Sequence, residues 1–184
     1  PEAERTRKRA ESYPMVEFCF EIARYQQRIG KYFIIENPET SQMWNTPPMV
    51  DVADSEDASR STVHMCAYGL RDPVTKVHMK KPMSFLHNIP MHIFAPMLRR
   101  CDGDHEHQQI IGSAPGYGSR AVLSQAYPAS FCTHLARTIE KVQEYSNCSE
   151  VCTPAVEADL LGIWEDLWEE LSDQPSIPEV ATQV

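Results

Sequence analysis

Apolar side chains recur at Val16, Cys19, Phe20 and Ala23 within residues 12–28, the spacing of one helix face. Ser12 is placed to cap that helix and Gly30 to end it. Lys31, Tyr32, Phe33, Ile34 and Ile35 then form a continuous aromatic and β-branched run closed by Glu36, Asn37 and Pro38. That pattern predicts a strand buried on both faces of a parallel sheet, and a helix leading into such a strand is half of a βαβ unit. Residues 40–49 read as a short helix around Met43 and Trp44, broken by Pro47 and Pro48. Residues 61–68 and 81–88 read as two strands of a hairpin with turns between them, and 90–99 as a short helix kinked or ended at Pro96. Residues 101–127 carry Gly103, Gly112, Gly116 and Gly118 without periodicity and read as a long loop, a type that is usually functional, metal-stapled or disordered. Helical spacing resumes over 128–145 through Phe131, Leu135, Thr138 and Val142. A last stripe of Leu160, Trp164, Leu167, Trp168 and Leu171 faces acids across an amphipathic helix, and the chain beyond Asp173 reads as disordered.

With 184 residues and 42% hydrophobic content, the chain supports one domain with a real core plus a tail, divided as 1–146 and 147–184. No apolar run approaches the roughly 18 residues of a membrane span, and the charged start is unlike a secretion signal. The expectation is a soluble, intracellular protein of cytoplasm or nucleus with no membrane partner. Beginning at Pro1 rather than Met, it reads as a piece of something longer. In that setting the six cysteines are expected as thiols, with Cys19 and Cys132 in the core. The net charge of -9 resides in the tail. Nine of the 26 acids follow Ser149 with no Lys or Arg among them, which leaves 17 acids against 17 bases in the body. A neutral body does not advertise a strongly phosphate-seeking surface, although Arg5, Arg7, Lys8 and Arg9, and Lys76, Lys80 and Lys81, are placed to touch a nucleic acid backbone or to serve as solvated surface charge.

Two constellations carry chemistry. Glu36, after a buried strand, would stand on the edge where open α/β sheets bind ligands, able to accept from the exocyclic amine of a base or, protonated, to donate to a ring nitrogen. The alternative is a cap for the next helix, with Asn37 and Pro38 forming a turn. The second constellation is Cys101, His105 and His107, with Cys66 as a partner from the preceding strand end. Four thiol and imidazole groups are what a tetrahedral zinc requires, and such a site would order a long glycine-containing loop. A hydrogen-bonded polar loop is the alternative. Cys148 and Cys152 form a weaker metal candidate. Gly116, Tyr117 and Gly118 lack the strand, the helix and the lysine of a phosphate-binding loop. The Trp164 and Trp168 stripe either packs back on the domain or docks another segment.

The order of these motifs resembles a known domain. Glu36-Asn37-Pro38 is followed by Cys66-Ala67-Tyr68-Gly69-Leu70 and by Lys81-Pro82-Met83-Ser84-Phe85-Leu86-His87-Asn88. Cys101 with His105 and His107 comes next, then Tyr127-Pro128 at a helix start. The series resembles the methyltransferase-like domain of phage-type DNA cytosine methyltransferase homologues and of Copia-like retrotransposon polyproteins, over residues 13–142. The resemblance implies the C-terminal part of an α/β domain with a partial Rossmann-like sheet of the class I methyltransferase type, followed by an acidic tail with an amphipathic helix. It also implies that Glu36 and Asn37 would hold a flipped cytosine, although Pro38 stands where that family more often has Val. An intact parent would use S-adenosylmethionine, bound upstream of this chain, and a Pro-Cys nucleophile. No Pro-Cys dipeptide occurs here, so the chain alone is expected to be inactive. Implied partners are DNA or another nucleic acid and other segments of a polyprotein. Two alternatives remain open, a non-enzymatic polyprotein assembly module and a small zinc-stabilised nucleic-acid-binding domain.

Overall fold

Charged residues extend the first helix well beyond its apolar stripe. In the computed structural model, which describes residues 2–148, helix α1 spans Glu2–Arg28. Its first half is rich in Ala, Glu, Lys and Arg, all strong helix formers, and is laced by Arg7–Glu11 at 2.6 Å and Lys8–Glu4 at 3.0 Å, pairs one turn apart. Ser12 therefore lies inside the helix and donates to the Arg9 carbonyl instead of capping. Gly30 ends it as expected, at φ 66°, a left-handed conformation that costs a residue without Cβ little.

The sheet differs from expectation. Strand β1 covers Ile34–Pro38, β2 covers Ser59–His64 and β4 covers Pro82–His87, in the order β1-β4-β2, and both pairings are antiparallel. The expected hairpin partners do pair, Val63 with Met83 and Ser61 with Phe85. The segment read as a parallel strand is an antiparallel edge strand, and it contains Glu36, Asn37 and Pro38 rather than ending before them. The strand covered on both faces is the central one, β4, where Met83 and Phe85 enter one apolar cluster and Leu86 the other. A mixed helix and strand fold is thus present, and the three described antiparallel strands contain no βαβ crossover.

Helices cover both faces. Ala23 of α1 and Val52 of α2 (Pro47–Ala53) pack with Phe33, Trp44 and Leu86. Ile93 and Phe94 of α3 (Met91–Phe94) and Phe131 and Val142 of α5 (Ala129–Cys148) pack with Met83 and Phe85 on the other side. Pro47 and Pro48 do not merely stop the preceding 3-10 turn, Gln42–Asn45; they open α2, where a missing N–H is no loss. As Pro96 suggested, α3 gives way to a 3-10 turn at Ala95–Met97. Cys132 is exposed on α5 and Cys19 only half-buried, so neither is the core cysteine expected.

The expected loop has more structure than its composition suggested. It holds β5 (His107–Gln108), which pairs in parallel with β3 (His78–Met79), a small ladder of β6 (Ser113–Ala114) with β7 (Gly118–Ser119), and α4 (Arg120–Leu123), which opens soon after Gly118. No helix among the described residues is long and apolar enough to cross a membrane. The acidic amphipathic stripe and the Cys148–Cys152 candidate lie outside the residues whose side chains are described.

Candidate metal centre

Three local devices bring Cys66, Cys101, His105 and His107 together. Cys66 lies in the 3-10 turn Met65–Tyr68 that follows β2, closed by Gly69 at φ 87°. The chain of Arg99 runs beside the end of β2, where the His64 amide donates to the Arg99 carbonyl at 2.9 Å. The Cys101 amide donates to His64 Nδ1 at 3.0 Å, which hangs Cys101 next to the Cys66 turn. Gly103 then turns the chain at φ 85°, and β5 holds His107 extended opposite His78.

One ligand atom from each of the four residues lies within 4.8 Å of all the others. Cys101 Sγ is 3.6 Å from His105 Nε2 and 3.4 Å from His107 Nε2. A tetrahedron with zinc–sulfur and zinc–nitrogen bonds of about 2.3 and 2.0–2.1 Å separates sulfur from nitrogen by about 3.6 Å. The donor set and these two edges both fit such an ion. His105 Nδ1 meets Asp104 Oδ1 at 2.5 Å, the carboxylate support that orients a ligating imidazole and presents its Nε2. The His78 ring lies over His105 at 4.1 Å and its Nδ1 meets the Cys66 carbonyl at 3.0 Å, so both neighbours are held by one side chain.

Without a cation Cys66 is held as the thiol, which a metal would reverse, whereas His107 is already biased toward the neutral imidazole that a metal takes. Burial, and then the adjacent Cys101, push the Cys66 thiol up to about 11. Burial, and then the like charges of His105 and Lys80, lower His107. A metal bound at this place would have to displace the thiol protons.

Glu36 and Asn37 are less of a unit than the resemblance implies. Side chains alternate along a strand, so the two leave opposite faces of β1. Glu36 is opposite Phe85, with Oε1 buried and without a hydrogen-bond partner. Burial, and then a hydrogen bond with the Glu36 carboxyl, raise the Tyr127 phenol, and Lys81 crosses the Tyr127 ring at 5.3 Å while donating to the Ser124 carbonyl at 2.7 Å. Asn37 Nδ2 points to Met43 Sδ at 3.1 Å. Both residues border a hollow of about 660 Å³ whose other walls include Tyr13, Val16 and Cys19 of α1.

Two polar groups carried no signal in the sequence. Asp72 is fully buried; its Oδ1 accepts from the Val74 and Thr75 amides and its Oδ2 from Arg120 Nε at 2.6 Å. His87 is fully buried against Phe94, ring centroids 3.6 Å apart. An aspartate before a proline and a histidine in an apolar strand look the same exposed or buried until the fold is known.

No protein-family model matches the chain, and no curated protein and no solved structure matches it significantly.

Proposed function

We propose that this chain is a zinc-stapled α/β module, a binding or assembly unit that is not a catalyst by itself. The observation that carries the reading is the convergence of Cys66 with Cys101, His105 and His107 from two separate segments, all ligand atoms within 4.8 Å and two of the edges at 3.4 and 3.6 Å. Four protein donors leave no open position for a reacting water, which is the pattern of structural rather than catalytic zinc. The ion would tie the turn after β2 to the long connection. Protein purified without chelator should carry about one zinc per chain, and cobalt(II) in its place should give the intense visible absorption of a tetrahedral thiolate site. Less than about a tenth of a zinc per chain would refute the reading.

A second reading keeps the methyltransferase-like resemblance, with S-adenosylmethionine and the nucleophile supplied by a parent polypeptide and DNA as the partner. It is favoured by one observation, the buried Glu36 Oε1 that has no hydrogen-bond partner on the edge strand β1. Glu36→Gln should abolish binding of cytosine-containing DNA by an intact parent and leave folding nearly unchanged. Undiminished binding by that variant would remove this second reading.

A further inference from the structure

Resting on the zinc reading, we infer that the centre is also a redox switch, in which hydrogen peroxide converts Cys66 and Cys101 to a disulfide and expels the metal.

A structural zinc is normally enclosed. Here a cleft of about 610 Å³ opens onto the ligands, and its walls include Cys66, Cys101 and His105 together with Gly69 and Ala67. Cys101 is half-buried and Cys66 buried, so a small oxidant entering by the cleft meets the Cys101 sulfur first. The two sulfurs already lie within 4.8 Å, and a disulfide of about 2 Å needs them to approach by less than about 3 Å. Cys101 sits on a connection with Gly103 two residues on, which can follow that movement.

The chemistry balances in two steps. The Cys101 thiolate attacks one peroxide oxygen; a sulfur–oxygen bond forms, the oxygen–oxygen bond breaks and hydroxide leaves. The Cys66 thiolate then attacks the Cys101 sulfur; the sulfur–sulfur bond forms, the sulfur–oxygen bond breaks and a second hydroxide leaves. The two thiolates lose two electrons and the peroxide gains them. Disulfide sulfurs are neutral and weak donors, and His105 and His107 alone do not retain the ion. Cys132, exposed on α5 and remote in sequence from the cluster, is an internal reference for unassisted thiol oxidation.

The experiment uses the full chain. Zinc content is measured first, then peroxide is added with a chromogenic chelator present, and non-reduced peptides are mapped by mass spectrometry. One zinc should be released for each Cys66–Cys101 bridge formed, before Cys132 is appreciably oxidised, and dithiothreitol with added zinc should restore the starting metal content. Zinc that stays bound while Cys132 oxidises overturns the switch and leaves the structural zinc standing. Release accompanied by a bridge between other cysteines, or by none, also overturns it. A chain without zinc before oxidation refutes the zinc reading itself, and the release step with it.

Discussion

The buried imidazole of His87 should make this fold sensitive to mild acid, and the size of the effect follows from its surroundings. The ring is fully buried and stacked on Phe94, and burial, opposed in smaller measure by the Ile89 backbone, lowers its pKa from 6.5 to about 4. In the unfolded chain the same group titrates near 6.5. Between these values the unfolded state binds a proton that the folded state does not. Stability is therefore complete above about pH 7 and is lost as pH falls through the unfolded value toward about 4. A difference of about 2.5 pKa units corresponds to about 3 kcal/mol, a large share of the 5–15 kcal/mol typical of a domain. Replacing His87 by Leu removes the titration and keeps an apolar side chain of similar size. Denaturant unfolding of both proteins at a series of pH values between about 7 and 4.5 isolates this residue, because every other titrating group, the metal ligands included, is common to the two and cancels in the difference. The wild type should lose up to about 3 kcal/mol more than His87→Leu over that range, at no more than about 1.4 kcal/mol per pH unit. Parallel curves would show that His87 finds a partner or water on protonation, and the argument from desolvation would be wrong.

Other outcomes follow from the polar groups of the long connection. Asp72→Ala removes the carboxylate partner of Arg120 and leaves the Val74 and Thr75 amides without their acceptor, so its melting temperature should fall by clearly more than that of Glu11→Ala, which touches only a solvent-exposed pair. Equal shifts would mean that the Asp72–Arg120 contact adds nothing beyond a surface ion pair. On the zinc reading, chelation should speed amide hydrogen exchange around Cys101–His107 before that of β4, since only the former would depend on the ion; uniform acceleration would contradict a local staple.

How much of this could be read from the residues depends on how local the signal was. The end of α1 at Gly30 and the pairing of the 61–68 and 81–88 segments were legible because glycine geometry and alternation act over a few positions. The grouping of Cys66, Cys101, His105 and His107 was legible because Cys and His are chemically specific wherever they occur, and the structure brings their ligand atoms within 4.8 Å of one another. Strand direction was not legible. A short apolar run looks the same in an edge strand and a central one, and only the order β1-β4-β2 reveals that Pro82–His87 has taken the middle place. The helical start at Glu2 was missed because its support comes from charge pairs rather than an apolar face, and α2 because Pro47 and Pro48 read as a stop when they are a beginning. Glu36 was placed on the right strand but at the wrong point along it, inside the ladder rather than past its end.

The Asp72–Arg120 pair has a consequence for how the molecule could come apart. Arg120 also donates to the Ser113 and Ile111 carbonyls, so its guanidinium pins the far half of the connection to the turn after Leu70, independently of the four thiol and imidazole groups that hold the near half. Damage at one anchor leaves the other fastened. If the proposed ion were lost, a short flap around Gly103 would loosen while the segment approaching α5 stayed moored, confining the injury to one edge of the domain.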